Sequence, residues 1–149
     1  MYEAFYNLAN DPFRLLPDPE ICFPHRSCAK AWAYLRYALK RGEGIVVVTG
    51  PPGSGKTTLA ERLLNELNPA EMVSVRLIAN DLGPGDLLRK LAYSFGIPAE
   101  GMDRAMLAHR MERYMTELEL RNRRALVLID EAQTLPHDSL EAMRLLTDI

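Results

Sequence analysis

The chain has 149 residues, of which 48% are hydrophobic and 26% charged, and a formal net charge of -2. That is the size and make-up of one globular domain with a sizeable core, which excludes disordered and fibrous classes. The charge gives no general pull toward nucleic acid, and no apolar run approaches the roughly 20 residues of a membrane helix.

The first 25 residues read as an irregular strap on a domain surface. Pro12, Pro17, Pro19 and Pro24 break any helical period, while Phe5, Tyr6, Phe13, Leu15 and Phe23 supply apolar anchors. The opening Met1-Tyr2-Glu3-Ala4-Phe5 lacks the basic-then-apolar order of a signal peptide, which points to the cytoplasm. Cys22 and Cys28 flank His25, but the other histidines, His109 and His137, are far away in sequence. Free thiols are therefore preferred over a zinc site, and no disulfide is expected in a reducing compartment.

A helix is predicted from about Ser27 to Arg41, with Ala31, Trp32, Leu35, Ala38 and Leu39 at helical spacing and Gly42 as its C-terminal cap. Ile45-Val46-Val47-Val48-Thr49 is a β-branched run, and it reads as a strand buried on both faces of a parallel sheet. A helix over Thr57–Leu67 places Leu59, Leu63, Leu64 and Leu67 on its apolar side, and Met72–Ile78 is a second strand. Asp86 is expected to cap a helix from Leu87 to Phe95 that Gly96 ends.

Asp103 is expected to cap a longer helix to about Arg121, with an inward stripe of Leu107, Met111, Tyr114, Met115 and Leu118. Four of the seven methionines lie between Met102 and Met115, and their spacing favours core packing over a soft binding surface. Ala125–Ile129 is a third buried strand, and a last helix begins near Asp138. Strands alternating with helices imply a parallel sheet.

Gly50-Pro51-Pro52-Gly53-Ser54-Gly55-Lys56-Thr57 fits the phosphate-binding pattern G-x-x-x-x-G-K-[ST] at every fixed position. Glycines let backbone N–H groups approach a polyphosphate, and the following helix aims its N-terminal dipole at the anion. Lys56 would carry its charge to the β and γ phosphates, the Thr57 hydroxyl would ligate magnesium, and Thr58 continues the nucleotide-binding stretch. Predicted strand before and predicted helix after are the context that makes the motif meaningful.

Ala125-Leu126-Val127-Leu128-Ile129 runs into Asp130-Glu131. An acid at the C-terminal edge of a parallel strand faces the ligand crevice. Asp130 is placed to hold magnesium through water, as a Walker-B aspartate does. Glu131, pointing the other way along the strand period, is the candidate to orient or deprotonate the attacking water. Two such acids also cap turns; their company with a full P-loop favours the catalytic role. The N-K-x-D signature of guanine selection has no counterpart here, and small-molecule kinases do not need the adjacent glutamate, so ATP hydrolysis is the expected chemistry. The basic cluster Arg121-Asn122-Arg123-Arg124 reads as complement to a helix C-terminus ahead of a contact to nucleic acid or to a neighbouring subunit's nucleotide.

With these residues in view, the chain resembles the general secretion pathway protein A (ExeA-like) ATPases. The resemblance lies in Met1–Tyr6, Asp11-Pro12-Phe13 followed by Pro17-Asp18-Pro19, and Ala33–Leu39. It continues in Asp130-Glu131-Ala132-Gln133 and in Leu140–Leu146. It departs at Gly50-Pro51-Pro52-Gly53, where the family usually reads Gly-Glu-Val-Gly, and at Cys28, where the family tends to have histidine. The resemblance implies a three-layer α/β/α P-loop NTPase of the AAA+ type with a parallel sheet, using ATP and Mg2+. It also implies a homo-oligomer when complete, working on the cytoplasmic side to power assembly or transport at the envelope. A transposition-type, DNA-binding AAA+ ATPase is the alternative, as is a nucleotide-binding module without turnover of its own.

Residues 1–149 then correspond to the N-terminal part of one AAA+ domain, with strap and helix over 1–42 and P-loop core over 43–149. The proteins resembled order their strands 5-1-4-3-2, which keeps the P-loop strand and the Walker-B strand apart. Ile45–Thr49 and Ala125–Ile129 are therefore expected not to pair directly, and the chain is expected to be an ATPase core truncated after the helix that follows the Walker-B strand. Alone, such a core would turn over ATP weakly or not at all.

Overall fold

The computed structural model describes residues 5–7 and 25–147. Most of the expected N-terminal strap, with Cys22, lies outside them. Helix α1 spans Arg26–Arg41 and buries Trp32, Leu35 and Ala38; it ends at Gly42, whose φ of 73° is the left-handed cap anticipated from sequence. His25 starts it, its ring nitrogen accepting from the Ser27 amide. Helix α2, Lys56–Glu66, follows the glycine-rich loop and buries Leu59 and Leu63.

Strand β1, Met72–Ile78, pairs in parallel with β2, Arg124–Asp130, in the register Met72↔Arg124 through Ile78↔Asp130. Between them run α3, Pro84–Ser94, and α4, Arg104–Leu120. A short 3-10 turn, Ala132–Thr134, leads from β2 to α5, His137–Thr147. Asp103 caps α4 by accepting from the Met106 amide, as expected. Asp86 does not cap α3. Gly83 is the N-cap and Pro84, with its fixed φ, starts the helix, leaving Asp86 in the first turn beside Arg89.

The strand period of two sorts side chains onto two cores. Val73, Val75 and Leu77 of β1 and Ala125, Val127 and Ile129 of β2 pack with Leu87, Leu91, Leu107 and Met111 of α3 and α4. Leu126, on the opposite face, packs with Trp32, Leu35, Leu59 and Leu63 of α1 and α2. Helices thus cover both faces of the sheet. Three of the clustered methionines belong to the first core, Met111 fully buried and Met102 and Met115 partly, while Met106 is exposed. Tyr114 is also only partly buried, against Phe95. Leu107→Ala should cost about 2–5 kcal/mol in chemical denaturation, since its side chain is fully buried. Met106→Ala, at a solvent-facing position, should stay within about 0.5 kcal/mol of the parent.

One expected strand is overturned. Ile45–Thr49 carries no ladder, and Ile45, Val46, Val47 and Val48 are 55%, 47%, 77% and 40% exposed. A β-branched run expresses fitness for a pleated, half-buried surface, but becomes a strand only when an edge pairs with it. β1 is paired with β2 along its whole length, and among the described residues no other edge engages 45–49. That segment does not pair with β2 either. β2, expected to be buried, is half-buried over Ala125–Asp130 and exposed at Arg124.

Candidate functional site

The glycine-rich loop needs its glycines at identifiable points. Gly53 and Gly55 have φ of 76° and 83°, in the left-handed region, and Gly55 forms the N-cap of α2. A Cβ on Gly50 would come within 2.7 Å of the Ser54 hydroxyl. The Ser54 amide donates to the Pro51 carbonyl at 3.2 Å, closing a turn over Pro51-Pro52-Gly53. No side chain caps α2 and no acid occupies its first turn, so its leading amides are not committed to a protein carboxylate.

Lys56 donates through Nζ to the carbonyls of Gly50 at 2.9 Å and Pro51 at 3.0 Å, holding the loop against the helix start. Thr58 lies half-buried in the first helical turn beside Thr57. The Thr57 hydroxyl donates to Asp130 Oδ2 at 3.2 Å, bringing together two residues 73 positions apart. Of the residues singled out from sequence, the structure therefore brings the loop, Lys56, Thr57 and Asp130 together at the C-terminal end of the strands.

Glu131 stands differently from expectation. β2 ends at Asp130, and Glu131 takes φ 57°, ψ 33°, so a left-handed turn rather than the strand period sets its direction. Its amide donates to Asp130 Oδ1 at 3.1 Å, and its carboxylate accepts from Gln133 Nε2. Thr134 fixes the turn: its hydroxyl lies 2.7 Å from the Ala79 carbonyl at the end of β1 and 2.9 Å from that of Glu131.

Sequence reasoning missed Arg76 and Glu61. Arg76 Nη1 donates to Glu61 Oε1 of α2 at 2.8 Å, and Nη2 to Asp130 Oδ2 at 3.2 Å. The Glu61 hydrogen bond, then that of Asp130, raises Arg76 above its ordinary value against the opposing pull of burial. The only advance signal was a lone cation amid the apolar residues of β1. Arg121–Arg124, in contrast, behaves as expected of a cluster at element ends. Arg124 Nη1 donates to the Leu39 carbonyl in the last turn of α1, and Arg123 Nη2 to that of Pro69.

Thr57 and Asp130 suit magnesium. Both are hard oxygen donors, and because the Thr57 hydroxyl donates to Asp130, its oxygen lone pairs remain to face a cation. Among the described residues no group of three or more His, Cys, Asp or Glu side chains could hold a metal alone. An open groove of about 690 Å³ at the other end of the strands, lined by Lys40, Glu71, Met72 and Arg124, contains none of these residues. The loop rather than that groove is the candidate site, because donors converge there.

Two helix layers around parallel strands, with a glycine loop opening the helix whose threonine meets a strand-end aspartate, define a P-loop NTPase fold. The AAA domain family matches residues 39–149, and the chain belongs to that family of ATPases. Over 150 residues, all of this chain, it is 33% identical to General secretion pathway protein A of Aeromonas hydrophila, of which the match covers 27%. It is also 36% identical over 81 residues to an ABC transporter ATP-binding protein of Methanopyrus kandleri, covering 54% of this chain and 28% of that protein. The chain thus spans well under half the length of either relative. No solved structure matches it. No described helix is long and apolar enough to cross a membrane.

Proposed function

We propose that the chain binds ATP with magnesium at residues 50–58, and that the full-length protein hydrolyses it to drive assembly or transport at the bacterial envelope. The meeting of Thr57 with Asp130 at 3.2 Å, at the start of the helix that Lys56 opens, is the observation that carries this reading. Backbone amides of Gly53, Gly55, Lys56, Thr57 and Thr58 would wrap the phosphates, with Ser54 joining them where its amide leaves the Pro51 carbonyl, and Gly50, Pro51 and Pro52 shaping the loop. Lys56 exchanges its bonds to the Gly50 and Pro51 carbonyls for phosphate oxygens. Thr57 and Asp130 would hold magnesium, which when bound neutralises charge on the β and γ phosphates. Glu131 orients the water and accepts its proton.

The envelope role draws on the name of the Aeromonas relative, a general secretion pathway protein, and on its similarity across this whole chain. A cytoplasmic homo-oligomer fits that work. Within it, residues 1–42, which include helix α1, and residues 43–149, the P-loop core, would belong to one AAA+ domain. Asp130→Ala tests the site in a calorimetric titration with ATP. Affinity in EDTA should hold within about twofold, while the gain on adding magnesium disappears, since a magnesium site keeps only one or two carboxylates. No binding of ATP by the parent protein would overturn the proposal. Salt-sensitive binding to duplex DNA would favour the transposition-type alternative instead.

A further inference from the structure

Arg76 and Asp130 lie on one face of the sheet. Arg76 pairs with Leu128 and Ile78 with Asp130 in the parallel register, and paired residues point to the same side. That side is the one α2 covers, through Leu126, Leu59 and Leu63. Glu61, four residues beyond Thr57 on α2, faces the same guanidinium. A planar fork with fixed donors bridges two carboxylates in a way a lysine would not.

The consequence is a crowded carboxylate. Oδ2 of Asp130 accepts from both the Thr57 hydroxyl and Arg76 Nη2, each at 3.2 Å, while Oδ1 accepts the Glu131 amide at 3.1 Å. Each carboxylate oxygen offers about two lone pairs, so both on Oδ2 are taken and one remains on Oδ1. Water bound to a metal must donate to just such a lone pair. Arg76 also sets a positive charge beside the one acid expected to attract a dication. The side chains of Arg76 and Asp130 are 33% and 21% exposed, so solvent weakens this opposition without removing it.

We propose that Arg76 is a positioning residue that competes with magnesium for Asp130, and that Glu61 restrains it, so that the Arg76–Glu61 pair sets the magnesium requirement of nucleotide binding. This rests on the reading of Thr57 and Asp130 as the magnesium site. Arg76 acts through Asp130 and touches neither nucleotide nor reacting atoms. Glu61 matters because it holds the Nη1 arm of the guanidinium and neutralises part of its charge. Without Glu61 the whole fork turns to Asp130.

The test is the half-saturating magnesium concentration for binding of a fluorescent ATP analogue by the full-length protein, with affinity in EDTA and thermal denaturation measured alongside. Arg76→Met keeps the apolar stem and should lower that concentration about twofold to fivefold, the scale of a partly exposed charge pair. Glu61→Gln should raise it roughly twofold to fivefold. Both variants should keep parental affinity in EDTA. A merely structural ion pair would not move the two variants in opposite directions. An unchanged requirement in both, or a rise in Arg76→Met, would overturn the proposal. Should Arg76→Met not fold, Glu61→Gln decides alone, and an unchanged or lowered requirement there would also overturn it. A parent protein that binds no nucleotide at any magnesium concentration would defeat the ATP reading itself, a result distinguishable from the others.

Discussion

Replacing Glu131 by glutamine is expected to lower ATP hydrolysis by the full-length protein roughly 10²–10⁴-fold, the span of a general base. ATP affinity should stay near that of the parent. The expectation follows from where the turn holds this residue. Asp130 already has Thr57, Arg76 and the Glu131 amide around it, whereas the Glu131 carboxylate meets only Gln133 among the described hydrogen-bonding groups. Its backbone occupies the left-handed region, which costs a non-glycine residue of order 1–2 kcal/mol. The Thr134 contacts to Ala79 and Glu131 hold that turn. Glutamine keeps the side-chain length and an oxygen that can still accept from Gln133, but cannot take a proton from water. Phosphate release and calorimetry on the same preparation check it. A matching loss of binding and turnover would make Glu131 structural or part of the metal shell.

How much of this could be read from the chain depends on how local each cause is. Helix α1 was legible because its stripe, its C-terminal glycine and its length all lie within Arg26–Gly42. The α4 cap at Asp103 was equally local. Asp86 was misjudged because a proline two residues earlier starts the helix sooner, and proximity to the apolar stripe gave the wrong cap. The failure at Ile45–Thr49 has a different origin: composition reports what a segment could pair with, while pairing depends on edges supplied by distant residues.

The site divides in the same way. The loop over Gly50–Thr57 was legible as a glycine-rich turn opening a helix, because its geometry is built from consecutive residues. Asp130 needed only a strand end after a P-loop. Arg76 was invisible because its importance is a register effect. Only when Ile78 falls beside Asp130 does a side chain two residues earlier on β1 reach that carboxylate, and only the packing of α2 brings Glu61 to the same guanidinium.

Lys56→Ala should remove measurable ATP binding while leaving the fold intact. The ammonium reaches the Gly50 and Pro51 carbonyls at 2.9 and 3.0 Å, so it hovers at the rim of the loop with two of its three donors on neutral acceptors. Phosphate oxygens are stronger acceptors for the same protons, because both partners are then charged. Losing such an interaction costs about 1.5–3 kcal/mol, or tenfold to 150-fold in affinity, and more where the anion is left without a counter-charge. No other lysine or arginine is hydrogen-bonded to the loop among the described residues, so no neighbour replaces it. Alanine also releases the two loop carbonyls, but both belong to exposed residues and return to water at little cost. Thermal denaturation without nucleotide should therefore match the parent within a few degrees, on the order of 1 kcal/mol or less for a surface change. Calorimetry with ATP and magnesium provides the other half of the comparison. Parental affinity in Lys56→Ala would remove the loop from consideration as the phosphate site, whatever its sequence pattern.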